Sequence, residues 1–225
     1  MKILYNFATR SRPKKAIACL ENIISLSKSG GFQVIVTADT DDPTMFNDEV
    51  RDKINSFPGT NIYYGISKGK IDAINKNVGL AKHEWHILVN VSDDFLFLKD
   101  GFDLDIINDM QNHFPDTDGF LHYPDGSPAH DKLATMSIIG KKYYDRFGYV
   151  YHPDYKSVYC DNEATVVAQR LHKHIFINNQ IFTHNHPAWG KAEVDELYKR
   201  NENPLLYEKD KQTFLRRQSN NFDLY

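Results

Sequence analysis

Two adjacent carboxylates, Asp93 and Asp94, close the run His86-Ile87-Leu88-Val89-Asn90-Val91-Ser92. The nearly continuous, β-branched apolar stretch reads as a strand buried on both faces, so it delivers the acids to the edge of a sheet, where open α/β sheets bind ligands. Side-by-side carboxylates repel one another and lose solvation, and a hard divalent cation carrying substrate phosphates relieves both penalties. Taken alone, the pair serves equally well to cap a turn. Two more clusters stand where other strands would end: Asp39 with Asp41 and Asp42, and His184-Asn185-His186-Pro187. If these strands share one parallel sheet, their ends meet at one edge and the distant residues converge. Manganese or magnesium would then take an Asp94 oxygen and an imidazole nitrogen from His184 or His186, leaving positions for diphosphate oxygens and water. His184 is the first choice, being nearest the strand end. Ordinary surface histidines in a Pro-terminated turn are the competing reading of both.

The elements that must position these groups follow from periodicity. A first strand over 3–8 is followed by a polar turn, Thr9 to Pro13, whose proline suits the first position of a helix. Ile17, Leu20, Ile23 and Ile24 repeat at helical spacing over 14–28, and Gly30-Gly31 ends that helix. Strands over 32–38 and 62–64, an amphipathic segment over 46–57, and a helix carrying Ile71, Ile74 and Val78 lead to the central strand. Such alternation of strand and helix argues for an α/β fold with a mostly parallel central sheet and helices on both faces. Beyond Phe95 come a helix over 102–114, a turn-rich loop at 123–128, short strands over 119–121 and 135–139, helices over 141–147 and 163–171, and one or two strands within 175–183. We divide the chain into a main domain over 1–190, whose halves 1–100 and 101–190 differ in organisation, and a C-terminal helical extension (191–225), split near Pro204.

A chain of 225 residues that is 41% hydrophobic and 25% charged has the composition of a globular protein with a substantial core. Its net charge of -3 argues against nucleic acid or an anionic membrane as a general partner. Cys19 and Cys160 are too far apart and too few for a disulfide framework or a zinc motif, which points to the cytoplasm. No window is long and apolar enough for a membrane span, and the N-terminus is too quickly polar for a signal peptide. There is no Gly-x-Gly-x-x-Gly, and residues 65–70 have the wrong spacing for a P-loop.

At Ser92-Asp93-Asp94 the chain resembles the GT-A fold nucleotide-sugar glycosyltransferases, specifically the family 2-like group, with Ser92-Asp93-Asp94 as a variant of the Asp-x-Asp motif. The resemblance also uses Asp39, Gly69-Lys70-Ile71-Asp72-Ala73-Ile74-Asn75 and Asp161-Asn162-Glu163, and covers roughly residues 2–187. It implies that Thr9 and Asp39 lie against the nucleoside, that Lys70 and Asn75 border the nucleotide-sugar, that Asp93 meets ribose or sugar hydroxyls and that Asp94 binds the metal. It further implies that Asp161 or Glu163 deprotonates the acceptor hydroxyl. Ser92 stands where many members carry the first acid, and the lost charge weakens the hold on a metal.

These features give an expectation of a metal-dependent, inverting glycosyltransferase. Its donor would be a nucleoside diphosphate sugar, a UDP-sugar as first choice, and its acceptor a hydroxyl on a glycan, lipid-linked or other molecule. A homodimer is left open. Asp161 and Asn162 could equally cap the helix that follows, and Glu163 could be a first-turn acid favoured by the helix dipole. Two other functions compete: a non-catalytic sugar- or nucleotide-binding module, and a nucleotidyltransferase making nucleotide-sugars. The latter wants a Gly-rich basic loop after the first strand, whereas Thr9 to Pro13 has Arg10 and Arg12 but no glycine.

Overall fold

Alternate residues of the strands point to opposite sides of one sheet, and both sides are apolar. A computed structural model describes residues 1–224 and shows how the chain covers them. The strands and helices of the first half are β1 (Ile3–Ala8), α1 (Pro13–Leu26), β2 (Phe32–Asp39), α2 (Asp48–Asn55), β3 (Thr60–Gly65), α3 (Lys70–Lys76), β4 (Ile87–Val91) and β5 (Phe95–Phe97). Then come α4 (Phe102–His113), β6 (Phe120–His122), β7 (Ile138–Gly140), α5 (Lys141–Phe147), α6 (Cys160–Arg170), β8 (His174–Phe176), β9 (Phe182–His184), α7 (Glu196–Asn201) and α8 (Pro204–Ser219). Seven strands form one sheet in the order β3-β2-β1-β4-β7-β6-β8, and only β7 runs against its neighbours. Ile3, Tyr5 and Phe7 of β1 pack with Leu20 and Ile23 of α1 and with Phe102 and Ile106 of α4. Leu4, Ile35 and Leu88 face the other way, onto Ile71 and Ile74 of α3, Tyr143 of α5 and Ala168 of α6.

This topology sends the C-terminal ends of β1, β2 and β4 to one edge, with Thr9, Asp39 and Ser92-Asp93-Asp94 at their tips. The histidines arrive by a different route from the one the sequence implied. His184 is not at the end of a strand of the main sheet. It lies in β9, which pairs antiparallel with β5 in a separate two-stranded sheet, with His184 opposite Phe95. That register brings the imidazole back beside Asp94.

The segment after residue 190 is docked against the rest of the fold. The Asp210 carboxylate of α8 is fully buried and accepts the backbone N–H groups of Lys156, Ser157 and Val158 at 2.7–3.2 Å. Arg217 donates from Nε to both Glu163 oxygens at 3.0 and 2.8 Å. The tail thereby fixes the irregular connection between α5 and α6, which forms one wall of the cleft described next. Among the described residues no helix is long and apolar enough to cross a membrane.

Candidate functional site

A cleft of about 900 Å³ opens at the C-terminal edge of the parallel strands. That volume lies near the upper end of the range for small-molecule sites. Thr9, Asp39, Lys70, Asp93, Asp94, Asp161, His184 and His186 all line it. Strand order accounts for Asp39, Asp93 and Asp94 meeting here, whereas His184 arrives through the pairing of β9 with β5.

Each acid meets different surroundings. Thr9 Oγ1 donates to Asp93 Oδ2 at 3.1 Å, and the Arg12 guanidinium donates to Asp93 Oδ1 at 2.8 Å. Burial is the larger influence on Asp93 and raises its carboxyl above the ordinary range in spite of Arg12. Asp94 goes the other way. Burial alone would raise it, but the His184 imidazole, 3.4 Å away, together with Ser92 and Lys70, holds it well below the usual carboxylate range. Asp39 is 8% exposed and takes Arg10 on Oδ2 at 3.0 Å, leaving buried Oδ1 without a partner. Burial raises the Asp161 carboxyl, with Lys70 opposing the shift. Burial of its ammonium end favours the neutral amine, yet Cys160, followed by Glu202, Asp161 and Asp94, outweighs that loss and raises Lys70.

The residues fit a divalent cation only in part. Asp94 Oδ1 is buried with no hydrogen-bond partner, the condition of a ligand oxygen awaiting a positive group. His184 Nε2 is the nearest second donor. Of the two candidate imidazoles, it is His184 that stands beside Asp94. Among the described residues no three His, Cys, Asp or Glu side chains gather as a metal-binding group. His186 instead packs its ring against Trp189 and Tyr198 and accepts the Ala188 N–H on Nδ1, and burial lowers its imidazole to about 4. The protein thus offers two ligands at this point, a number that suits a hard cation completed by phosphate oxygens and water.

Two other expected site residues belong elsewhere. Asn75 does not border the cleft: its amide clamps the backbone, accepting from Val150 and Tyr151 N–H and donating to Tyr151 C=O at 2.7 Å. Glu163 is 4% exposed and held by Arg217 and by the Tyr155 hydroxyl at 2.7 Å, so its carboxylate is saturated inside the protein. Helical geometry explains the split from Asp161, because residues two apart point to nearly opposite sides of a helix.

Other residues reach the site without having been singled out. Arg12 joins Asp93 to Asp195 just ahead of α7, donating to Asp195 from Nε at 2.8 Å and from a terminal nitrogen at 2.6 Å. Trp189, Tyr198, Arg200 and Glu202 close the cleft from the tail side. Arg10 and Arg12 were visible as cations in the polar loop after β1. Nothing local in the sequence marks α7 as a cover, since its contacts to Arg12 span 183 residues.

No family model and no curated protein matches the chain. Solved structures do. Residues 1–349 of S. aureus TarS in complex with UDP-GlcNAc superpose with a TM-score of 0.62 at 16% identity, over 93% of this chain and 66% of that one. The mannosyltransferase PcManGT from Pyrobaculum calidifontis, in complex with GDP-Man and Mn2+, gives 0.60 at 14% identity, over 80% of this chain and 55% of that one. A 4-diphosphocytidyl-2C-methyl-D-erythritol synthase from Anaerococcus prevotii gives 0.54 at 12% identity, over 79% and 86%. The chain therefore spans less than two thirds of the TarS and mannosyltransferase chains. At such identities the likeness establishes the fold, and the fold is GT-A.

Proposed function

We propose that this GT-A protein is a metal-dependent glycosyltransferase that moves a sugar from a nucleoside diphosphate sugar to an acceptor hydroxyl with inversion. One observation carries the reading: Asp39, Asp93, Asp94 and Asp161 share one cleft with Lys70 and His184, although they are scattered over some two thirds of the chain. The unpartnered Asp39 oxygen is free to accept an N–H from a nucleobase, and Asp93 with Thr9 suits ribose hydroxyls. Manganese or magnesium held by Asp94 and His184 stabilises, when bound, the charge of the departing diphosphate. Lys70 adds a positive charge on the same side. Asp161, with its proton affinity raised by burial, takes the proton of the acceptor hydroxyl. The nucleotide-sugar complexes of TarS and PcManGT support this donor class, and the Mn2+ of PcManGT supports a divalent cation.

The likeness to the erythritol synthase keeps nucleotidyl transfer as a second reading. Arg10 and Arg12 count against it, because both are already engaged by aspartates where that chemistry wants a free basic loop. Product analysis separates the readings. Incubation with UDP- and GDP-sugars, Mn2+ and an acceptor panel is expected to release nucleoside diphosphate as sugar is transferred. Pyrophosphate release from a nucleoside triphosphate and a sugar phosphate would favour the alternative. Donor binding with no turnover against any acceptor would favour a binding module.

A further inference from the structure

The cations lining the cleft fall into distinct groups. Arg10 and Arg12 are ion-paired with Asp39, Asp41, Asp93 and Asp195. Lys70 faces Asp94, Asp161 and Glu202 at the centre. Of the rest, none of which enters an ion pair among the described residues, Arg200 belongs to α7 and three are lysines, Lys68, Lys156 and Lys209. These lysines come from three separate segments that touch. A Cβ on Gly69 would stand 3.5 Å from the Lys156 carbonyl, so the loop bearing Lys68 lies against residue 156. The Lys156 N–H donates to Asp210 at 3.0 Å, which sets residue 156 beside the turn of α8 that carries Lys209. The Asp210 oxygens are turned to three backbone N–H groups and form no ion pair with any of the three lysines.

Three lysines on segments that touch, none of them ion-paired, concentrate positive charge on this rim in a protein of net charge -3, and that favours an anion there. The diphosphate of a donor is already served by Lys70 and the Asp94 side of the cleft, so the rim has a different anion to receive. We propose that Lys68, Lys156 and Lys209 form a receiving site for a phosphate group carried by the acceptor, which makes the acceptor a phosphorylated hydroxyl compound. Compact ammonium groups on flexible stems suit a phosphate, whose oxygens accept from several directions. The inference rests on the glycosyltransferase reading. In the transfer, the acceptor oxygen bonds to the anomeric carbon as the bond from that carbon to the diphosphate oxygen breaks. The nucleoside diphosphate leaves with the electron pair, Asp161 takes the hydroxyl proton, and the acceptor phosphate is unchanged.

The test is a calorimetric titration of the full chain with glycerol 3-phosphate, glycerol and detergent-dispersed 1-acylglycerol 3-phosphate, which keeps a free hydroxyl, in the presence of saturating UDP and Mn2+. At least one phosphate probe is expected to bind at least tenfold more tightly than glycerol, and rising NaCl should weaken it. Preference for glycerol 3-phosphate assigns a water-soluble acceptor, and preference for 1-acylglycerol 3-phosphate a lipid-borne one. The variant K68Q/K156Q/K209Q should lose that preference while keeping its melting temperature and its UDP affinity. Should it fold poorly, the exposed pair K68Q/K209Q carries the same expectation in reduced measure. Equal binding of glycerol and both phosphate probes, or an unaffected variant, overturns the proposal. Repeating the titration without UDP and Mn2+ reads the rim by itself, so a failure of donor binding, which would count against the glycosyltransferase reading, is seen separately.

Discussion

Asp161 and Glu163 leave the first turn of α6 two residues apart, yet they do opposite things. Asp161 looks into a cleft of about 900 Å³ and has no cationic partner within ion-pair distance among the described residues. Glu163 looks into packed protein, where Arg217, itself only 4% exposed, and the Tyr155 hydroxyl saturate it. The contrast extends outward from the two residues. On the cleft side, Asp39 Oδ1, Asp94 Oδ1 and His184 Nδ1 are buried without partners. On the packed side, Asp210 has every oxygen engaged. Unsatisfied buried polar atoms cost stability, so those that face the cleft are kept for a ligand, whereas matched ones such as Asp210 and Glu163 hold the chain together; a few, His122 Nε2 among them, lie unpartnered away from the cleft.

The largest expected effect is on Asp161. Asp161→Asn should lower kcat by roughly 10²–10⁴, as befits a general base, with a melting temperature equal to or above that of the parent. The stability half follows from sign: burial raises this carboxyl, so its ionised form disfavours the folded state and a neutral amide removes that cost. For the same reason the acid limb of kcat/KM should lie above the ordinary aspartate value of 3.8. Next comes Glu163→Ala, which strands the buried Arg217 charge and should cost about 3–5 kcal/mol in a denaturant titration. Donor affinity per folded molecule should not change. If the two variants exchange phenotypes, the division between the two sides of α6 is wrong.

A smaller effect sharpens the packed side. Burial holds the His122 imidazole down at about 4, against an ordinary value of 6.5 in the unfolded chain. Between those values the unfolded chain binds a proton that the folded one does not, so stability should fall as pH is lowered from about 6.5 towards 4. Unfolding curves across this window should be flatter in slope for His122→Phe, whatever that variant costs overall. An unchanged slope would mean that His122 is not the titrating group.

How much of this could be read beforehand depends on the range of the contact. Strand-end residues such as Asp39, Asp93 and Asp94 were legible, because β-branched runs and helical spacing define parallel strands, and parallel strands bring their ends together. The α/β architecture with its mostly parallel sheet follows from the same pattern, and GT-A in particular from the resemblance at Ser92-Asp93-Asp94. Asn75 and Glu163 were misplaced because residue type does not reveal which face of a short helix meets solvent. Their partners, the backbone of Val150 and Tyr151 and the side chain of Arg217, lie 54 to 76 residues away. His184 reached the site as foreseen, though through a two-stranded pairing with β5 that its short apolar run does not announce. The closure by α7 was hidden for a related reason: Arg12 and Asp195 are ordinary charges until the fold sets them 2.6 Å apart.

The claim beneath all of this is that Asp94 holds a cation that a donor diphosphate shares. Isothermal titration of UDP and GDP into the parent and Asp94→Ala, with and without Mn2+, measures it directly. The account predicts that Mn2+ strengthens binding to the parent and that the substitution removes this gain, weakening the metal-dependent affinity by about 100-fold or more. A variant whose affinity still rises with Mn2+ as the parent's does would contradict it.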